Sequence, residues 1–288
     1  MIYDSIVIGH GPAGLTAAIY LKRANKSVLT VGKDLGVLEN KSIQIENYFG
    51  FKKVSGSLIS MNSFEHAKEL GCEVVTDEVL KIEFSNDVFI VTTIENIFSS
   101  KTLIIAAGQK RTSLKIPGLN SYIGKGVSFC ATCDGFFYRD KKIALIGNSK
   151  YMLHELKDLS SITNDITIFT NGEKLFEAVK YPIVDEKIIS ISGDDTHAKS
   201  LITSNATYNV DGIFVAYDFA GGLELAKKIG ILVDKSEIVV NEYGETNIKG
   251  IFAAGDIIKG RKQITKATYD GMNAAHGVID YLYKLNNK

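Results

Sequence analysis

Cysteine and proline are both scarce in this chain. Its 288 residues include three cysteines and three prolines. Three cysteines are too few, and odd in number, for a disulfide framework. With so little proline, glycines mark the boundaries between segments.

Net charge and long apolar runs are also lacking. Lysine and arginine total 33, as do aspartate and glutamate, so the formal net charge is zero. This balance argues against a nucleic-acid or membrane-surface protein as a whole. No apolar run is long enough to span a bilayer, and no signal-peptide pattern precedes the first strand. We expect a folded cytoplasmic protein without nucleic-acid or membrane partners.

A strand, turn, helix and second strand can be read twice along the chain, over residues 2–31 and again over residues 142–170. Alternating strands and helices predict an α/β fold with parallel sheets. We therefore expect two Rossmann-like, three-layer domains of the nucleotide-binding type. The first would be discontinuous, over residues 1–109 and 245–288, with the second inserted over residues 110–244.

The first of these turns, "GHGPAG", carries Gly9, Gly11 and Gly14 between a buried strand and an alanine-rich helix. The first glycine permits a tight turn, the second admits a pyrophosphate and the third lets helix pack on strand. The free N–H groups of the helix would bind the phosphates. A dinucleotide site is predicted, and a glycine turn without a ligand is the alternative.

The second strand lacks the acidic residue that usually holds the ribose of a dinucleotide. It ends in Val31, Gly32 and Lys33, and Asp34 comes slightly late. The sequence therefore leaves the ribose contact open.

Cys130 and Cys133 form a CxxC pair in "FCATCDGFF". Both sulfurs can sit on one turn, and a helix opening there would lower the pKa of one cysteine. Asp134 follows and could move a proton. A zinc site would need four ligands, which Cys72 and the scattered histidines do not supply, so no metal is expected. A pair of buried structural thiols is the other alternative, and Cys72 itself is expected in the core.

These residues carry a family resemblance that covers nearly the whole chain. It resembles the low-molecular-weight, flavin-dependent thioredoxin reductases, most specifically in "GVSFCATCDGFFYRDKKIALIG". The other matching segments are "GHGPAG", "IENYFGF", "IIAAGQKRTSLKIPG", "IKGIFAAGDI" and "KQITKATYDG". Ala107 stands where the family usually has threonine.

The resemblance implies FAD as cofactor and a homodimer. Asn47 would lie near the flavin, Asp256 would bind the ribityl chain, and Gln263 and Ile264 would contact the isoalloxazine through their backbone. The implied cofactor-binding residues are Gly9, Gly11, Pro12, Ala13, Gly14, Gly32, Lys33, Asn47, Ala107, Gly108, Gly255, Asp256, Gln263 and Ile264.

The resemblance also implies catalytic roles for three residues. Cys133 would face the flavin, Cys130 would attack thioredoxin, and Asp134 would act as the acid/base. Rotation of one domain against the other would bring the cysteines alternately to flavin and thioredoxin.

The second turn lacks what an NADPH site of this family needs. Its GGGxSA-like fingerprint is replaced by "GNSKYM", in which Lys150 and Tyr151 occupy the helix start. No arginine pair follows "DITIFT", where Lys174 is the one cation of "NGEKLF", and "AYDFAGGL" departs from the family pattern as well. Since the close-approach glycine is gone, we expect NADPH binding to be lost and the domain to survive as a scaffold for the cysteines.

The sequence thus predicts a ferredoxin-dependent flavin thioredoxin reductase, because the chain resembles the subset of the family without NADPH motifs. Electrons would pass from reduced ferredoxin, of unspecified cluster type, through FAD and the Cys130–Cys133 disulfide to thioredoxin. An acidic ferredoxin would dock on basic side chains. The candidates are Lys259, Arg261, Lys262 and Lys266.

Three other functions stay open. One is an NAD(P)H-dependent disulfide reductase with an atypical nicotinamide site, and another is a non-catalytic FAD-binding redox sensor. The third is a reductase of the same mechanism with another disulfide partner or another electron carrier, such as a flavodoxin.

Overall fold

The computed structural model of the chain describes residues 1–40, 43–108, 114–217 and 221–287. It divides into two compact units, the first formed by Met1–Lys110 and Gly221–Lys288 and the second by Arg111–Ala220. The helices are α1 (Pro12–Arg23), α2 (Gly56–Glu69), α3 (Ala131–Asp134), α4 (Lys150–Leu159), α5 (Gly222–Lys228) and α6 (Ile264–Asn286). One unit inserted in the other, both with parallel sheets, confirms the predicted α/β fold.

The first unit is built on a seven-stranded sheet. Before the chain enters the second unit, it forms the strands β1 (Ile2–Ile8), β2 (Val28–Gly32), β3 (Gln44–Ile45), β4 (Val54–Ser55), β5 (Glu73–Thr76), β6 (Val79–Ser85), β7 (Val88–Thr93) and β8 (Ile97–Ile105). The large sheet has the order β5-β2-β1-β8-β7-β6, while β3 and β4 form a separate antiparallel pair. Strands β5, β2, β1 and β8 run parallel, and β6 and β7 extend the sheet as an antiparallel hairpin.

The second unit has a five-stranded sheet and a smaller antiparallel one. Its strands are β9 (Val127–Ser128), β10 (Ile143–Ile146), β11 (Ile166–Phe169), β12 (Ile183–Val184), β13 (Ile188–Gly193), β14 (Ala198–Thr203), β15 (Thr207–Asn209) and β16 (Gly212–Val215). The larger sheet, β12-β11-β10-β16-β9, is parallel throughout. The strands β13, β14 and β15 form the smaller sheet.

The chain then returns to the first unit with β17 (Val233–Asp234), β18 (Glu237–Ile238) and β19 (Ile251–Ala253). Strand β19 pairs in parallel with the last residues of β8. The carboxyl ends of β1, β2, β8 and β19 therefore meet at one edge of the sheet, which is where ligands bind in such folds.

The central strands of both sheets run parallel and are buried. Ile6 and Val7 of β1 and all of β10, Ile143–Ile146, are fully buried. Continuous apolar runs of this kind are typical of strands with helices on both faces. Cys72 is also buried, directly before β5, so its predicted place in the core is confirmed.

The return to the first unit comes earlier than the sequence predicts. Residues 221–244, assigned to the second domain from sequence, belong to the first unit. Helix α5 packs against β6 and against the hairpin of β17 and β18, and Gly222 lies so close to Ile257 that a side chain would overlap it. The turn residues of "VNEYGETNIKG" indicate a domain boundary, but the contacts of α5 place the preceding residues in the first unit already. The predicted boundary at residues 109 and 110 lies outside the described residues.

Within the described ranges, no helix combines the length and apolar character that crossing a membrane would need.

The packing of α6 on α1 depends on one glycine. A Cβ atom at Gly271 would overlap the backbone carbonyl oxygen of Ala13, which cannot move aside as a side chain could. We expect Gly271→Ala to lower the free energy of unfolding by about 1–3 kcal/mol, the usual range for overpacking. Urea unfolding followed by circular dichroism measures this. The exposed Lys284→Ala in the same helix should change it by less than about 0.5 kcal/mol, and equal effects would contradict this packing.

Candidate active site: a nucleotide turn and a redox disulfide

The three glycines of the first turn have different surroundings: two lie against backbone and one faces open space. Gly9 has φ +114°, and a side chain there would overlap the Ala106 carbonyl oxygen. A side chain at Gly14 would overlap the Gly9 carbonyl oxygen, so α1 could not start so close to β1. Around Gly11, in contrast, a Cβ atom would meet nothing within 4 Å among the described residues. Gly9 and Gly14 thus serve the fold, and Gly11 borders open space.

The N-terminus of α1 is prepared for an anion. Gly11 is its N-cap and Pro12 its first residue, and no described side chain caps it. The N–H groups of a first helical turn have no partner within the helix. Together with the positive end of the helix dipole, they suit a pyrophosphate. This open cradle fits FAD.

The end of β2 lies beside this turn. Gly32 faces the His10 ring, which a Cβ atom at Gly32 would approach to 2.9 Å. Lys33 pairs with Glu78 at 3.2 Å between Nζ and Oε2. Glu78 therefore places a carboxylate next to the strand end where the sequence lacks one. Since Glu78 stands just before β6, far along the chain, no local signal in the sequence indicated it.

Gly255, Asp256 and Ala107 also lie at or next to the first glycine turn. Gly255, at φ +83°, lies against Ala13, which a Cβ atom there would approach to 2.8 Å. Asp256 follows in the 3-10 turn Gly255–Ile257. Ala107 lies against Gly9, since a Cβ atom at Gly9 would come 3.0 Å from the Ala107 Cα atom.

Two distant segments meet at the start of α6. Gln263 is the N-cap of α6 and Ile264 its first residue. The Asn47 side-chain amide donates a hydrogen bond to Gln263 Oε1 at 2.9 Å, which joins "IENYFGF" to the C-terminal segment.

Gly108, at φ +63°, has open space around it among the described residues.

The second unit carries the cysteines at the start of the short helix α3, which the sequence leaves open. Cys130 and Cys133 form a disulfide with their Cα atoms 5.3 Å apart. Cys130 is the N-cap of α3, and its sulfur accepts a hydrogen bond from the Cys133 N–H at 3.1 Å. Asp134 accepts from the Ser128 hydroxyl at 2.6 Å, and Ser128 in turn accepts from the Cys130 N–H at 3.1 Å. The carboxylate is thus held beside the redox pair.

Helix α4 supports the cysteine segment through contacts that the sequence analysis missed. Glu155 Oε2 accepts from the Ala131 N–H at 2.8 Å. Asp158 Oδ2 accepts from the Thr132 hydroxyl, also at 2.8 Å. Their spacing of three residues on one helical face was the available signal. The ligand atoms of His154, Glu155 and Asp158 all lie within 4.8 Å of one another, close enough to hold a metal ion.

The second nucleotide-type turn keeps the tight turn after β10, but the helix that follows it does not start with free N–H groups in open space as α1 does. A side chain at Gly147 would overlap the Ala216 carbonyl oxygen, so the first glycine is still required. Ser149 and Met152 stand at the second and third glycine positions. The Ser149 side chain accepts from the Met152 N–H at 3.4 Å and so caps α4. A helix capped by its own serine offers fewer free donors to a phosphate.

Neighbouring groups also cover this turn. The loop after β11 folds back, and the Phe176 N–H donates to the Asn148 carbonyl oxygen at 2.8 Å. The Asn148 side chain donates to the Lys174 carbonyl oxygen at 3.4 Å, and the Lys150 ammonium lies 5.3 Å from the centre of the Phe176 ring. The chain's own groups therefore occupy the approach to the second turn. Residues 218–220 of "AYDFAGGL" lie outside the described residues.

The predicted basic surface is partly neutralised. Lys262 pairs with Glu237 at 2.7 Å, and Lys266 pairs with Asp270 at 2.7 Å. The hydrogen bond from Lys262 is the main reason why the pKa of Glu237 is lowered. Lys259 and Arg261 are exposed beside these pairs. A docking partner would meet a weaker positive patch than the sequence suggests.

The chain is similar to known proteins over nearly its whole length. The model of a family described as pyridine nucleotide-disulphide oxidoreductase matches residues 3–271. Thioredoxin reductase from Bacillus subtilis (strain 168) is 32% identical, over 99% of this chain and 96% of that protein. The atypical thioredoxin reductase TRi from Desulfovibrio vulgaris Hildenborough is similar in structure, with a TM-score of 0.85, 30% identity and 98% of each chain covered. A ferredoxin-flavin thioredoxin reductase from Clostridium acetobutylicum gives a TM-score of 0.71, 29% identity and 98% of each chain covered.

The open space at Gly11 allows a test that separates ligand from fold. Gly11→Ala adds a methyl group that touches no described residue, so the unfolding free energy of the apoprotein should change by less than about 1 kcal/mol. Because the methyl group enters the cradle, the affinity for FAD should fall at least about tenfold, or 1.4 kcal/mol. Flavin fluorescence during titration of the apoprotein measures this. Unchanged affinity would show that Gly11 does not border the cofactor.

His10 gives the first unit a pH dependence. The ring is buried, burial lowers its pKa, and Nε2 has no partner among the described residues. The unfolded chain therefore binds more protons below about pH 6.5, and stability is lost as the pH falls through that range. We expect wild type to lose more stability between pH 7 and pH 5 than His10→Asn. Urea midpoints at both pH values test this, and parallel losses would contradict it.

Proposed function

The chain belongs to the pyridine nucleotide-disulphide oxidoreductase family, and on that basis we propose that it is a ferredoxin-dependent flavin thioredoxin reductase. Family membership implies FAD as cofactor. The chain is a disulfide oxidoreductase of the thioredoxin reductase type. The electron donor, the acceptor and the roles of single residues are the substance of the proposal.

The contrast between the two nucleotide-type turns carries the proposal. The first has Gly11 at an open helix start, whereas the second has Ser149 capping α4 and Phe176 and Lys150 over the approach. A nicotinamide donor needs a second site where backbone can meet a pyrophosphate. The capped start of α4 and the groups over it argue against such a site in this unit, which favours a donor that is not a nucleotide.

A small electron-transfer protein fits this requirement. When bound, FAD supplies the redox chemistry that links a one-electron carrier to a two-electron disulfide. The similar protein from Clostridium acetobutylicum is a ferredoxin-flavin thioredoxin reductase, which supports ferredoxin as the carrier. Of the four basic side chains named from the sequence, Lys259 and Arg261 are exposed and form no ion pair with a described residue, so they are the candidates to attract it.

The cysteine pair would deliver electrons to thioredoxin by exchange. The Cys130 thiolate attacks the thioredoxin disulfide, forms a mixed disulfide and releases one thioredoxin thiolate. Cys133 then attacks the Cys130 sulfur, restores the disulfide and releases the second thiolate. Asp134 takes the proton of the Cys133 thiol and passes it to this leaving thiolate. Cys130 is 4% exposed, so this sulfur must first become accessible. The domain rotation implied by the resemblance would expose it.

The surface beside the disulfide suits a protein acceptor. Phe136 and Phe137, directly after the cysteine helix, are 68% and 70% exposed. Exposed aromatic side chains at one place are typical of binding surfaces. We infer thioredoxin as the acceptor, with a homodimer and a cytoplasmic location as further parts of the proposal. Asp134, held beside an intact cysteine pair, argues against a non-catalytic sensor.

The donor is tested by anaerobic stopped-flow absorbance of the oxidised holoprotein. We expect reduced ferredoxin to bleach the flavin and excess NADPH or NADH to leave it oxidised, because the second turn has no opening for a dinucleotide. In Cys133→Ser, ferredoxin should still bleach the flavin while thioredoxin reduction is lost. Bleaching by NADPH within a second would overturn the ferredoxin proposal and favour the atypical nicotinamide site.

A further inference from the structure

A buried carboxyl group contacts the first N–H of α3, the helix that carries the redox cysteines. Glu155 of α4 is 2% exposed, and its Oε2 accepts from the Ala131 N–H at 2.8 Å. Ala131 is the first residue of α3 and follows Cys130 in the chain. The carboxylate therefore meets the positive end of the helix at which the Cys130 sulfur sits.

We propose that Glu155 is a positioning residue for the redox disulfide, which holds the start of α3 and sets a negative charge against it. The inference rests on the proposed redox role of Cys130 and Cys133 and does not depend on the identity of the electron donor. Glu155 touches neither sulfur in the contacts described, so it acts through the helix.

The effect of this charge on the cysteines has a definite sign. After reduction, a thiolate at Cys130 is stabilised by the Cys133 N–H, which lies 3.1 Å from the sulfur, and by the helix dipole. A carboxylate at the same helix end opposes this stabilisation and raises the thiol pKa. A less stable thiolate favours the disulfide, so the reduced pair becomes a stronger reductant.

Other ionisable groups face the cysteine helix and must be separated from Glu155. Asp134 belongs to α3 itself, and Tyr138 follows in the 3-10 turn Gly135–Tyr138, where burial and then Asp134 raise its pKa. Helix α4 contributes Asp158 and His154, besides Tyr151. Asp158 bonds the Thr132 hydroxyl and not a helix N–H, and His154 Nδ1 lies 3.9 Å from Glu155 Oε1.

The phenol of Tyr151, at the first turn of α4, lies near the same segment. It is fully buried, and its hydroxyl is 3.4 Å from the Phe129 carbonyl oxygen. Tyr151 is unchanged in every variant used below, so it contributes equally to each measurement.

The test compares Glu155→Gln with wild type. Glutamine keeps an acceptor for the Ala131 N–H and removes the charge. Reduced holoprotein labelled with [13Cβ]cysteine is titrated by NMR, which reports each of the three thiols separately. EDTA is present, because a metal ion at His154, Glu155 and Asp158 would neutralise the charge under study.

We expect the Cys130 pKa to fall by about one unit in Glu155→Gln, while buried Cys72 stays unchanged and serves as the internal reference. Above the thiol pKa, the redox equilibrium against glutathione should shift about tenfold, or 30 mV, toward the dithiol. A merely structural role would lower stability without moving either value. An unchanged or higher Cys130 pKa in Glu155→Gln overturns the proposal.

Two further variants complete the design. Asp158→Asn removes the same charge from the same helix away from the α3 N–H, and should shift the Cys130 pKa less than half as far. Glu155→Asp keeps the charge but withdraws it from Ala131, and should give an intermediate pKa. If Glu155→Gln fails to retain FAD, identical titrations of Glu155→Asp and wild type overturn the proposal. An Asp158→Asn shift as large as that of Glu155→Gln does so as well.

Discussion

The close approach of a helix to a strand is the constraint on which the first unit depends. Because residue 14 has no side chain, α1 can begin against the Gly9 carbonyl group. This approach leaves the first N–H groups of α1 open and fixes Ala13, against which Gly255 and Gly271 then pack. A single steric condition thus determines both the cradle for the cofactor and the position of the C-terminal segment that completes it. Replacing any of these glycines would lower the stability of the fold, and any effect on the chemistry would follow from that.

The second unit shows what the same architecture becomes when that constraint is relaxed. Met152 replaces the packing glycine and Ser149 the approach glycine, so α4 begins with a capped end under the loop after β11. The helix is then available for another task, and it holds the cysteine segment through Tyr151 and Glu155. The helix start is thus open in one unit, while in the other it is capped by Ser149 and its helix supports the cysteine segment.

Features set by local spacing could be predicted from the sequence, and features set by distant contacts could not. The glycine turn and the CxxC pair each lie within a few residues. The structure places the glycine turn at a helix start as predicted, and it places the CxxC pair at one too, which the sequence leaves open. Glu78 and Glu155 act on segments far from them in the chain. The early return at Gly221 depends on the packing of α5, and the basic patch was overestimated because Lys262 pairs with a residue on another element. Only the tertiary fold brings such partners together.

The claim that the second turn is closed can be tested without any turnover. Isothermal titration of the oxidised holoprotein with NADPH detects saturable binding whether or not hydride transfer follows it, and it needs no disulfide acceptor. We predict no saturable heat up to about 1 mM ligand, which corresponds to a binding free energy weaker than about −4 kcal/mol. Saturable binding of one NADPH per chain with a micromolar dissociation constant would contradict it, and would show that Ser149 and Phe176 do not close the site.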